Sequence, residues 1–159
     1  MRTLLARDDA WARDTPLHLT ASALVVHPPS RRVLLRWHER MQRWLQLGGH
    51  ADPGETDPWA IARREAREES GLDDLRPLGT AAPSVAQVVI VPVPARGDEP
   101  AHEHADIRYL MTTDRPDDAT PETPAARLRW LPIDAAAHDV EEDSVRILIE
   151  RARDALDAR

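Results

Sequence analysis

The chain has no cysteine, lysine, phenylalanine or asparagine among its 159 residues, and a single tyrosine. Without cysteine there are no disulfides, no thiolate metal sites and no thiol nucleophiles. All 21 basic residues are arginine, which we read, with the abundant alanine and proline, as compositional bias unrelated to function. Where phenylalanine is missing, the five tryptophans must do much of the core and interface packing. No apolar run approaches membrane-spanning length, and residues 1–9 lack the apolar stretch of a signal peptide. The formal net charge of −7 disfavours nonspecific nucleic-acid binding through a basic surface. The expectation is a cytoplasmic protein folding as one domain over residues 1–159, with no membrane partner.

What the chain does have is concentrated in residues 48–72, where Gly48-Gly49 and a Pro53-Gly54 turn precede a helical segment rich in arginine and glutamate. Asp57 is an N-cap with Pro58 behind it at the first helical position, and Gly71 sits where a C′ residue belongs. On such a helix Glu68 lies about 60° to one side of Glu65 and Glu69 about 40° to the other. The three carboxylates then crowd one arc and repel one another. A hard divalent cation with oxygen ligands reverses that repulsion. The plain alternative is a solvated charged face with an i,i+4 pair between Arg64 and Glu68.

The pattern resembles the signature of the Nudix hydrolase family. Gly49 is followed by five residues and Glu55, then by Arg64-Glu65-Ala66-Arg67-Glu68-Glu69-Ser70-Gly71-Leu72. One departure stands out: eight residues instead of the family's seven separate Glu55 from Arg64, the extra one falling beside Thr56-Asp57-Pro58. A loop absorbs such an insertion without rotating the carboxylates. The resemblance implies an α/β/α sandwich with a mixed sheet. It also implies hydrolysis of a nucleoside diphosphate linked to another moiety, with Mg²⁺ (or Mn²⁺) as cofactor. Glu68 and Glu69 would be metal ligands, and Glu65 either a third ligand or the base that deprotonates water. The Gly48 carbonyl would add one more oxygen, and Arg64 would support the loop. A nucleotide-binding module without turnover is the second reading. The intact trio of glutamates argues against it. The isopentenyl diphosphate isomerases, a non-hydrolytic branch, need a cysteine that this chain does not have.

Elsewhere, alternation predicts strands at 17–27, 33–37, 44–47 and 105–112, with extended segments at 75–81 and 84–93. A last strand is expected at 127–131, and helices at 2–13, 58–70 and 142–156, with an exposed acidic loop at 114–126. His102, His104 and Asp106 alternate, so on one strand they share a face able to meet substrate phosphate or an additional metal. His50 adjoins the glycine pair as a candidate phosphate contact. Trp44 is a candidate stacking platform for a base. Arg36, Arg40 and Arg43 fit a solvated face. The expected partner is a small nucleotide-type molecule, and a homodimer is compatible with the sequence. Selectivity is expected to reside in the segments 36–44, 94–104 and 114–126.

Overall fold

The computed structural model describes Leu4 and residues 7–158. Its strands are β1 (Leu17–His27), β2 (Arg32–His38), β3 (Arg43–Leu45) and β4 (Leu47–Gly49), then β5 (Arg76–Pro77), β6 (Val85–Val93), β7 (His102–Thr112) and β8 (Leu128–Pro132). Among the described residues Leu4 is helical, and the helices with both ends described are α1 (Pro58–Ser70), α2 (Ile133–Asp139) and α3 (Asp143–Asp157). One mixed sheet contains all eight strands. Its centre is β1 paired in parallel with β7 along its length, from Leu17 opposite Glu103 to Val26 opposite Thr112. The β1–β2 hairpin is zipped only near its turn, from Val25–Leu34 to His27–Arg32. Residues 43–49 bridge the opening beyond it, β3 against β2 and β4 against β1.

The alternation of β1 sorts its side chains between two helical layers. Leu19, Ala21, Ala23 and Val25 face α1, packing with Ile61, Ala62 and Ala66 and with Ala105, Ile107, Tyr109 and Met111 of β7. Leu24 and Val26 face the other way, into a core with Ile133, Ala136, Val145, Leu148 and Ile149 of α2 and α3. Two helical layers about a mixed sheet make the α/β/α sandwich. On this second face the start of β1 is polar: His18, Thr20 and Ser22 are buried there. That polar half-face is what the fold leaves for a site.

Several expectations are corrected. Residues 2, 3, 5 and 6 of the helix expected at 2–13 lie outside the described residues, and 7–13 form turns. The carbonyl of Ala10, which a helix would use internally, accepts the Leu19 amide at 2.6 Å. The strand expected at 44–47 is divided at Gln46 between two partners. Of 75–81 only Arg76–Pro77 pairs. The short helix α2 adds an element that the periodicity does not predict, since seven residues carry too little of it. The loop at 114–126 is largely exposed, as expected, and it is also tied to the body of the fold: the Thr120 amide donates to Ser70 O at 2.7 Å, and the Trp130 indole to Pro116 O at 3.0 Å.

Candidate active site

Helix α1 begins as its sequence requires. Asp57 Oδ1 accepts the Trp59 amide at 3.0 Å, Pro58 follows, and Gly71 closes the helix at φ 69° with its amide on Arg67 O. The extra residue before Arg64 stays in the preceding loop, so Glu55 and Arg64 still meet. Arg64 Nη2 lies 3.0 Å from Glu55 Oε2 and Nε 3.1 Å from Oε1. The same guanidinium donates to His50 O at 2.8 Å and reaches Glu65 at 3.0 Å and Glu68 at 3.1 Å. Arg64 therefore fastens the glycine loop to the helix and orients two of the three carboxylates. Its hydrogen bond holds the Glu55 carboxyl below the usual carboxylate range.

The three glutamates differ in environment. Glu69 is buried, with Oε2 accepting the Gly48 amide at 3.0 Å and Oε1 on Arg36 Nη1 at 2.7 Å. Burial pushes its carboxyl up to about 7, against the pull of Arg36 and the Gly48 amide. Burial also raises Glu65, which Arg64 opposes. Glu68 is the most open, its side chain 51% exposed. The glycines make room for this arrangement. A Cβ on Gly49 would stand 2.6 Å from Glu65 Oε2, and one on Gly48, at φ 145°, would stand 2.3 Å from Ser22 Cβ. The oxygen-only donor set, crowded against a turn with no side chains, fits a hard cation such as Mg²⁺ or Mn²⁺.

Arg36 corrects the expectation of a solvated arginine face. It is partly buried and touches both Glu69 and, at 3.5 Å, Glu122 from the 114–126 loop. Spacing gives no sign of either contact, since it joins three distant segments. Arg40 pairs with Glu99, tying the turn after β2 to the loop before β7, and Arg43 at the start of β3 pairs with Glu142 at the N-cap of α3.

On the other side of Gly48–His50 lies a cavity of about 240 Å³, lined among others by Thr20, Gln46, His50, His102, His104 and Asp106. Strand β7 starts at His102, so the period-two spacing of His102, His104 and Asp106 puts all three on one face. Asp106 is buried and fully engaged: it accepts from Thr20, Ser22, Gln46 and, at 2.7 Å, Arg108 Nε. It shapes the cavity floor by holding these donors. His50 points its ring into the cavity, 3.1 Å from His18 Nε2, and no spacing pattern singles His18 out. Burial lowers His50 to about 4 and His104 to about 3, so both are neutral imidazoles at pH 7. Trp44 is not brought to the cavity lining; it packs edge-on against Trp37 at 5.6 Å between ring centroids.

The fold and the site together describe an α/β/α sandwich in which Glu65 and Glu69 of one helix meet a glycine turn, with Glu68 beside them on Arg64. The match to known proteins is more specific: the family described as NUDIX domain covers residues 16–150. The chain belongs to the Nudix family. Similar solved structures include a C. elegans Ap4A hydrolase, with TM-score 0.64 and 20% identity over 87% of this chain and 97% of that one. The E. coli dihydroneopterin triphosphate pyrophosphohydrolase has TM-score 0.66 and 18% identity, over 84% of this chain and 92% of that one. A Clostridium perfringens hydrolase of the NUDIX family has TM-score 0.64 and 24% identity, covering 89% and 97% respectively. At these identities the likeness is one of fold. No curated protein matches the chain in sequence.

Proposed function

We propose that the chain cleaves a pyrophosphate link in a nucleoside diphosphate joined to another moiety, with Mg²⁺ (or Mn²⁺) held by Glu68, Glu69 and the Gly48 carbonyl, and with Glu65 as either a third ligand or the base that takes the proton from water. The observation that carries this is the meeting of α1 with Gly48–Gly49: Glu69 is bonded to the Gly48 amide at 3.0 Å, Glu65 lies against Gly49, and Arg64 holds Glu68 next to Glu65. A cation bound there would supply screening of the phosphate oxygens and activation of a water. Burial raises the Glu65 carboxyl, and a carboxylate shifted in that direction is a better proton acceptor than an ordinary one, which suits the role of base. Glu68 acts as a ligand on the solvent side. Arg64 positions Glu65 and Glu68 and ties them to His50.

The rest of the substrate occupies the cavity beyond Gly48–His50. There His50, His102 and His104 offer polar contacts, and Asp106 acts through the donors it holds. The names of the Ap4A hydrolase and the dihydroneopterin triphosphate pyrophosphohydrolase support a pyrophosphate-type link as the one cut, and leave the remainder open. Among the described residues no helix is long and apolar enough to cross a membrane. The cytoplasmic setting belongs to the same proposal.

The test is a phosphate-release screen over dNTPs, ADP-ribose, NADH, dinucleoside polyphosphates and nucleotide sugars with each metal. Glu68→Gln and Glu69→Gln are then assayed on the best substrate. Each variant is expected to lose at least about 100-fold in kcat, as removal of a ligand from a phosphate-activating metal does. Activity within about threefold of the parent for both variants, roughly 0.6 kcal/mol of barrier, overturns the assignment.

A further inference from the structure

The cavity has a feature that a carboxylate hydrolase does not require. Four imidazoles, those of His18 on β1, His50 just after β4, and His102 and His104 on β7, pack stacked, tilted or edge to face, with ring centroids 4.8–5.3 Å apart in each contacting pair. Such packing costs burial of polar nitrogens and brings little apolar area in return. For three of the rings, one ligand atom each from His18, His102 and His104 lies within 4.8 Å of the others. We propose that His18, His102 and His104 form a binding site for a borderline divalent transition ion, Zn²⁺ being the representative, separate from the hard-cation site on α1.

Geometry supports this in three ways. First, the ligands are on rigid strands: His18 and His104 are register partners in the parallel β1–β7 pair, and His102 is two residues away on the same face. Second, the outer nitrogens are already fixed. His18 Nδ1 donates to Thr15 O at 2.8 Å and His102 Nδ1 to Pro100 O at 3.0 Å. A carbonyl only accepts, so each Nδ1 carries the proton and each Nε2 lone pair points inward. A backbone carbonyl behind the ring is the usual second partner of a metal-bound histidine. Third, His102 Nε2 and His104 Nε2 are 3.1 Å apart, close to the roughly 3.4 Å between nitrogens at about 2.05 Å from a tetrahedral Zn²⁺. His50, with Nε2 at 3.1 Å from that of His18, stands beside the remaining position.

The donor set separates the two sites by chemistry. Imidazole suits Zn²⁺, Ni²⁺ and Co²⁺, whereas Mg²⁺ prefers the oxygens of α1. The proposal does not rest on the hydrolase reading, and its test needs no substrate. Chelator-treated protein is titrated with Zn²⁺ in excess Mg²⁺ by calorimetry, and with Co²⁺ by visible absorption. One equivalent should bind, raising Tm and giving tetrahedral-type Co²⁺ bands. His102→Gln and His104→Gln, at part-exposed positions, should each weaken binding at least tenfold and abolish the bands. Glu68→Gln should bind as the parent does. His18 is fully buried, so the two part-exposed positions carry the test without a substitution there. Zn²⁺ binding that survives both histidine variants, binding lost in Glu68→Gln, or no binding in excess Mg²⁺ overturns the proposal.

Discussion

Gly48 and Gly49 are adjacent, yet a methyl group added to each meets a different kind of obstacle. At Gly49 the nearest atoms are the Glu65 carboxylate, at 2.6 and 2.8 Å, the free end of a rotatable side chain. The carboxylate gives way, so Gly49→Ala should cost less than about 1 kcal/mol of stability. Because it displaces Glu65, the variant should lose at least tenfold in kcat. At Gly48 the obstacles are Ser22 Cβ and Cα at 2.3 and 2.5 Å, and φ is 145°. Backbone cannot step aside, and the conformation is strained for any side chain. Gly48→Ala should therefore cost about 3 kcal/mol or more. Urea unfolding of the two variants, beside their kcat, checks both outcomes. Equal destabilisation of the two would show that Glu65 is not free to move.

At the scale of the element, α1 depends on its ends. Its acidic arc is unfavourable by itself, since Glu65, Glu68 and Glu69 repel. Two arginines, Arg64 and Arg36, offset that repulsion. The cap at Asp57 sets where the helix starts and so which way the arc faces. Asp57→Ala should lower stability by about 1 kcal/mol, read as a smaller urea midpoint at unchanged slope. Activity at saturating substrate should stay within about twofold, because Glu55 and Arg64 still fasten the loop. A large fall in kcat without a fall in stability would mean that the cap, and not the ion pair, aligns the carboxylates.

For the whole molecule, burial of titratable groups sets how stability follows pH. His50 and His104 are held near 4 and 3, below the ordinary 6.5, so between those values the unfolded chain binds more protons than the folded one. Their contribution is fully present above about pH 6.5 and is lost as pH falls towards 4 and then 3. Glu69 works in the opposite sense: raised from 4.5 to about 7, it favours the fold below 4.5 and loses that contribution as pH rises through 7. Two histidines outweigh one carboxyl, so in chelator-treated protein Tm should fall on acidification below pH 6.5. His104→Gln should flatten that fall. Glu69→Gln removes the opposing group and should steepen it between pH 6.5 and 4.5. Melting curves at half-unit pH steps check both slopes, and a parental slope in either variant contradicts the burial argument.

The Nudix pattern, the caps of α1, the carboxylate arc and most strand positions are legible in the sequence because each is written within one helix or one strand. Spacing at 3.6 or 2 residues decides which side chains share a face, whatever lies opposite. The phase of His102, His104 and Asp106 is readable for this reason. The histidine cluster is not, because His18 joins it only through the parallel pairing of β1 with β7, whose side chains meet 86 residues apart at Thr20 and Asp106. The same holds for Arg36 and Glu122 at Glu69. The sequence by itself thus determined the family, the helix and its acids, since local backbone geometry dictates these. Tertiary structure alone decided which polar groups are buried together, because strand order and register, set by long-range packing, choose the neighbours and with them the charge state and chemistry of the site.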